Sequence, residues 1–164
     1  MKTLVIVDCQ PKFMSGQEYT SEFDFFVDTE IVPLVLEAKS NNEEIVIVEF
    51  AGYGETHQLI MNQIKDYDKT HFVKKETPAG GYNIFDMFKK KRLSTQKFLV
   101  CGIYADQCVR ATSETLKTYF PSCEVMVEKK ATMPSVFINI FKEYEIDNIL
   151  HSIDPYKKNF TNQK

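Results

Sequence analysis

The sequence predicts an α/β protein, a three-layer α/β/α sandwich around a mostly parallel six-stranded sheet. Three observations predict it. Short β-rich apolar runs recur at wide spacing along the chain. Several are apolar at every position, as in Leu4-Val5-Ile6-Val7 and Ile45-Val46-Ile47-Val48, which is the pattern of a strand covered on both faces. The intervals between them carry helical spacing, so successive strands are joined by right-handed crossovers. With 164 residues, 43% of them hydrophobic, there is material for one core, assigned to residues 1–154, with a polar tail from Pro155 to Lys164.

The first strand is Leu4 to Cys9. Asp28 or Thr29 can cap a helix to about Lys39, with Pro33 near its first turn and Ile31, Leu34, Val35 and Ala38 on one face. Glu44 to Phe50 is the second strand. After it Gly52 and Gly54 flank Tyr53, a pattern that suits either a flap or an ordinary turn. His71 to Lys75 is the third strand and Asn83 to Lys91 a short helix. Phe98 to Ile103 is the fourth strand, followed by a helix with Val109, Thr112, Leu116, Tyr119 and Phe120 at helical spacing, stopped by Pro121. The fifth strand is Glu124 to Glu128. Thr132 can cap a last helix carrying Val136, Phe137, Ile140, Phe141 and Tyr144, and Asn148 to Ile153 is the sixth strand.

Composition narrows the function. The net charge is -3 and the basic residues are scattered apart from runs such as Lys89-Lys90-Lys91-Arg92, so neither nucleic acid nor a membrane surface is an expected partner. The N-terminal apolar run is too short for a signal-peptide core, and the reading is a cytoplasmic protein. Cys9, Cys101, Cys108 and Cys123 form no CxxC pair and no metal-ligand spacing, which in a reducing compartment means free thiols.

In a parallel sheet of this kind the ligand crevice lies beyond the carboxyl ends of the strands. Asp8 closes the first strand, Lys74 and Lys75 close the third, and Cys108 stands between the fourth strand and its helix. Each has an ordinary alternative: a turn-forming Asp, a solvated Lys, a packed Cys. Together they make a chemical set. An ammonium and a helix N-terminus beside a thiol, whose reference pKa is about 8.5, favour the thiolate. Asp8 could take the thiol proton and return it to a leaving amine, and the N–H groups of Tyr104 and Cys108 are candidate oxyanion donors.

These segments resemble a known family. "LVIVDCQPKF" looks like the opening strand of the isochorismatase-like cysteine hydrolases, "VCGIYADQCVRATSETL" resembles their nucleophile segment, and "FVKKETPAGGYNIF" is similar to their lysine segment. The resemblance implies an Asp-Lys-Cys triad hydrolysing an amide through a thioester, here Asp8, Lys75 and Cys108. It implies a cis peptide between Ile103 and Tyr104 that shapes the oxyanion hole. It also implies that Gln10 and Phe13 line the substrate crevice, Phe13 by stacking on a flat substrate; packing in the core is the alternative for Phe13. The resemblance implies Lys75 rather than Lys74, since the family pattern has two apolar residues and one variable residue before its lysine and the distance to "YNIF" suits Lys75; strand alternation then sends Lys74 to the other face. Asp106 is read as a cap that stiffens the loop.

The metal-binding relatives of this family carry an Asp-x-His pair after the second strand. This chain has "VEFAGYGETH" there, with Glu49 and His57 as the nearby candidates and His71 further on, and no compact ligand set results. The reading is therefore metal-independent, with no cofactor, and with a small-molecule amide or ureido compound as substrate. Two alternatives stand beside it: acid-catalysed vinyl-ether hydrolysis by Asp8 without a thiol nucleophile, and a catalytically idle binding module. Resemblance implies a homodimer or higher homo-oligomer.

Overall fold

The computed structural model describes residues 1–14 and 20–134. Its described sheet has five strands, β1 (Lys2–Val7), β2 (Glu44–Phe50), β3 (Thr70–Lys75), β4 (Lys97–Ile103) and β5 (Glu124–Met133), in the order β3-β2-β1-β4-β5. All four pairings are parallel. The expected sixth strand, Asn148 to Ile153, lies outside the described residues, as do the helix expected around Val136 to Tyr144 and the tail from Pro155.

Alternation along the strands builds both outer layers. Leu4 and Ile6 of β1, Ile45 and Ile47 of β2, and Leu99, Cys101 and Ile103 of β4 share one core with Phe23, Val27, Ile31 and Val35. The intervening Val5, Val7, Val46, Val48, Phe98 and Val100 pack on the opposite side with Ile84, Phe88 and Leu116. Successive side chains of a strand point to opposite faces, so an unbroken apolar run serves two cores at once. Among the described residues no helix is long and apolar enough to cross a membrane.

Several boundaries differ from the sequence reading. The first helix does not begin at Asp28 or Thr29: α1 (Thr20–Phe26) continues through a wide π turn, Val27–Ile31, into α2 (Val32–Ser40). Thr29 spends its hydroxyl on the Phe25 carbonyl one turn back. Pro33 lacks an N–H and crowds the carbonyl four residues earlier, and the wide turn stands just where that crowding arises. The stretch after β2 contains an unexpected helix, α3 (Gln58–Ile64). Its N-cap is His57, whose Nδ1 accepts the Leu59 N–H at 3.2 Å, a cap that the usual Ser, Thr, Asp or Asn signal misses. α4 (Gly81–Lys91) and α5 (Arg110–Tyr119) fall close to expectation. Of the residues at helical spacing in α5, Thr112 and Leu116 are buried and Tyr119 is exposed. Thr132 is not a helix cap, because β5 runs on past it; there its hydroxyl donates to the Glu128 carbonyl within a bulge that shifts the β4 to β5 register.

The strand order places a switch point between β1 and β4, since the chain winds outward through β2 and β3 and then returns to the other side of β1. Close approach there depends on Gly102, at φ 129°: an added Cβ would lie 2.1 Å from the Val7 carbonyl oxygen. Gly102→Ala should therefore lower stability by about 3 kcal/mol or more, combining a left-handed backbone with a backbone clash. Urea unfolding measures it. A loss below about 1 kcal/mol would show that β1 and β4 separate without cost.

Candidate active site

Val7 and Ile103 end the two central strands, and the chain turns sharply after each. Asp8 and Tyr104 both take left-handed conformations, at φ 54° and φ 61°, unusual for residues with a Cβ. The Asp8 N–H donates to the Val48 carbonyl at 2.9 Å, which fastens the turn to β2. Lys75 ends β3 opposite Phe50. From these three strand ends the side chains of Asp8, Lys75 and Cys108 are brought together.

The Lys75 Nζ lies 2.8 Å from Asp8 Oδ2, and both side chains are fully buried. The same ammonium donates to the Thr77 carbonyl at 3.2 Å and sits 4.5 Å from the Phe50 ring centroid. No described group gives either Asp8 oxygen a well-directed hydrogen bond, the lysine contact being a close ion pair rather than an aligned bond. Of the two lysines weighed, Lys75 is the one that reaches Asp8. Lys74 is exposed on the other face of β3, where its carbonyl accepts from Asn83.

Cys108 is buried in a π turn, Ala105–Val109, that leads into α5. The Tyr104 carbonyl accepts the N–H groups of Gln107 at 3.0 Å and Val109 at 3.1 Å, on either side of Cys108. The thiol is within hydrogen-bonding reach of Asp8 and Lys75. Burial, then the Asp8 charge, push the Cys108 thiol up to about 12, and the opposing Lys75 charge does not cancel them. A thiolate favoured by lysine and helix terminus was the expectation; the shift runs in the other direction, because the nearest carboxylate and the loss of water both disfavour a second anion. Burial likewise raises the Asp8 pKa, against the lowering effect of Lys75.

The peptide bond between Ile103 and Tyr104 is trans, contrary to expectation. The direction change is made instead by Gly102 at φ 129° and Tyr104 at φ 61°. Asp106 lies in the first turn, one residue past Ala105, and the residue in the cap position is Tyr104. Gln10, expected to meet substrate, is fully buried and its carboxamide is taken up by the chain after β2. Its Oε1 accepts the Phe50 N–H at 2.7 Å, and its Nε2 donates to the carbonyls of Phe50 at 3.1 Å and Gly54 at 2.7 Å. Phe13 is half-buried in an aromatic cluster: it stacks on Tyr53 and makes edge contacts with Phe50 and Tyr104. The rings of Phe50, Tyr53 and Tyr104 were missed by the sequence reading. The rule that residues just beyond strand ends line the crevice would have flagged them.

The candidate metal ligands are occupied elsewhere. Glu49 accepts from the Thr56 N–H at 2.9 Å and hydroxyl at 3.0 Å. His57 accepts at Nδ1 from Leu59, so its Nε2 carries the proton that faces Asp24 at 2.8 Å. His71 sits at the start of β3, between Glu44 and Lys91, at the far end of the sheet. Among the described residues no group of three His, Cys, Asp or Glu side chains is placed to hold a metal ion. Cys9, Cys101 and Cys123 are buried free thiols; burial raises the first two well out of the reactive range, and Cys123 donates to the Thr95 carbonyl.

Comparison with known proteins bears on the family and the fold. The isochorismatase domain model matches residues 2–118. A search of curated protein sequences finds no match. Among solved structures, a nicotinamidase from Staphylococcus aureus is 16% identical, with a TM-score of 0.68 over 97% of this chain and 95% of that one. A ribonuclease from Caenorhabditis elegans is 19% identical, with a TM-score of 0.69 over 93% of this chain and 73% of that one. An N-carbamoylsarcosine amidase from Thermoplasma acidophilum is 18% identical, with a TM-score of 0.62 over 82% of this chain and 85% of that one. At these identities the likeness is one of fold.

Proposed function

Because the chain belongs to the isochorismatase family, we propose that it is a cysteine hydrolase that cleaves a C–N bond in a small amide or ureido substrate. The observation that carries this reading is the buried 2.8 Å pair of Lys75 and Asp8 with the Cys108 thiol in reach of both. An acid, a cation and a nucleophile withdrawn together from water are costly to keep and useful for acyl transfer.

The thiol is protonated at rest, so its proton moves to Asp8 as sulfur attacks the carbonyl carbon. The tetrahedral oxygen is held by the N–H groups of Tyr104 and Cys108. Asp8 then passes the proton to the departing nitrogen, the C–N bond breaks, and a thioester remains on Cys108. Water, deprotonated by Asp8, attacks that thioester; the product is a carboxylic or carbamic acid, and the thiol recovers its proton. Lys75 keeps a buried carboxylate ionised enough to act as base and holds it in place. Gln10 acts through the loop it fastens, and Phe13 belongs to the wall of the crevice. Metal-independence is part of the proposal, supported by the engagement of Glu49, His57 and His71 in other bonds. So are a cytoplasmic setting and self-association, the latter measurable by sedimentation.

Ammonia release from nicotinamide, ureidoacrylate, carbamoyl amino acids and biuret tests the reading. We expect release from at least one, with an acid-trapped acyl adduct on Cys108 by mass spectrometry. Ammonia without that adduct would remove the nucleophile assignment. No ammonia from any of them, with vinyl-ether cleavage instead, would favour acid catalysis by Asp8.

A further inference from the structure

The loop after β2 places one residue, Tyr53, between two glycines at positive φ, Gly52 at 82° and Gly54 at 81°. A Cβ added to either glycine would meet nothing within 4 Å, so neither is there to make room for a neighbour. The backbone is fastened from beneath. Gln10 holds Phe50 and Gly54, and the Lys12 Nζ donates to the Gly52 carbonyl at 2.8 Å. The Tyr53 ring, in contrast, is placed by aromatic contacts. It stacks on Phe13 with centroids 4.1 Å apart and planes inclined by 15°, meets Phe50 edge-on at 5.5 Å, and has the Lys12 ammonium 5.9 Å from its centroid.

Through its two ring neighbours Tyr53 is one step from each side of the triad. Phe50 carries the Lys75 ammonium on its face. Phe13 meets Tyr104 edge-on at 5.2 Å, and Tyr104 begins the turn that bears Cys108. Burial first, and then the neighbourhood of Cys108 and Asp8, raises the pKa of the Tyr104 phenol. Tyr53 is 38% exposed while Cys108 is 6% exposed, so of the two it is the tyrosine that meets solvent.

Resting on the hydrolase reading above, we propose that Tyr53 is a specificity-determining side chain: its ring fills a stacking position on Phe13, so that the crevice favours small non-aromatic amides and ureido compounds over flat aromatic amides. A planar substrate that took this place would exchange one ring stack for another and gain nothing from it. A compact aliphatic ureido group needs no such exchange. Removing the Tyr53 ring leaves a ring-sized slot with Phe13 as its floor and the flanking glycines free to adjust.

The test uses the full chain with Tyr53→Ala and Tyr53→Phe, and two probes, nicotinamide and N-carbamoylglycine. Binding is read as protection of Cys108 from iodoacetamide in mildly alkaline buffer, followed by mass spectrometry, and turnover as ammonia release. In Tyr53→Ala the affinity for nicotinamide should rise about tenfold relative to N-carbamoylglycine, the size of one aromatic stack. Tyr53→Phe keeps the ring and should keep the wild-type ratio. An unchanged ratio in Tyr53→Ala, or a Phe variant that behaves like Ala, would overturn the assignment. A shifted protection ratio with no ammonia from these probes, from ureidoacrylate, from other carbamoyl amino acids or from biuret would uphold Tyr53 and refute the hydrolase reading, and ammonia release with an unshifted ratio would do the reverse.

Discussion

Asp8→Asn should abolish turnover and at the same time make Cys108 react faster with iodoacetamide near neutral pH. The two effects come from one charge. The thiol stands at about 12 because burial and the Asp8 carboxylate outweigh Lys75. Asparagine keeps the shape and removes the anion, leaving the lysine charge, which lowers the thiol pKa, without its main electrostatic opponent. More thiolate means faster alkylation. Turnover nevertheless falls, by about 100-fold to 10,000-fold, because no base remains to take the proton or return it to the leaving nitrogen. Cys108→Ala supplies the contrast, losing turnover and alkylation at that position together. An Asp8→Asn protein whose Cys108 alkylates no faster than wild type would mean that the carboxylate does not govern the thiol.

The pH profile of the wild type carries the matching sign. Asp8 must be ionised to act as base, and its pKa is raised by burial. The rate should therefore fall, as pH is lowered, at a higher pH than an ordinary carboxylate would give. Cys108 contributes no limb near neutrality, because its own ionisation lies at about 12. A rising rate through pH 8 to 9 that followed thiol ionisation, at about the reference value, would show a thiolate-first mechanism instead.

The second large effect is on stability. Lys75→Met should destabilise the fold by about 3–5 kcal/mol, since it leaves Asp8 as a buried carboxylate without a partner. Lys75 and Asp8 both have fully buried side chains, so water cannot replace the lost cation. Methionine retains most of the length of the lysine stem. The double variant Asp8→Asn/Lys75→Met should recover most of the loss, which separates a charge effect from a packing effect. Urea midpoints of the wild type, both single variants and the double variant measure this. A double variant no more stable than Lys75→Met would assign the loss to packing.

Much of this was legible in the chain. Unbroken apolar runs in β1, β2 and β4 announced a sheet buried on both faces; Asp8, the Lys74-Lys75 pair and Cys108 were found from their places at strand ends, and family resemblance chose Lys75. The helix before Asp28 was not legible, because Pro33 looked like a helix start when it lies beyond a π turn in a continuous helix. α3 was hidden by its histidine cap. Gln10 looked like a substrate contact because its position was right; its hydrogen bonds go to a loop 40 and 44 residues away, which no local pattern reports.

By itself the sequence determined the strand periodicity, the order of the elements and hence the end of the sheet at which chemistry could gather. Those properties depend on residues a few positions apart. Tertiary structure alone decided that the Gln10 carboxamide is spent on Phe50 and Gly54, that burial and Asp8 raise the Cys108 pKa, and that Tyr53 covers Phe13. Each of these turns on distances between segments tens of residues apart and on how completely water is excluded from them. In a buried site a charge is worth what its neighbours and the local dielectric make it, and neither is written in any short stretch of chain.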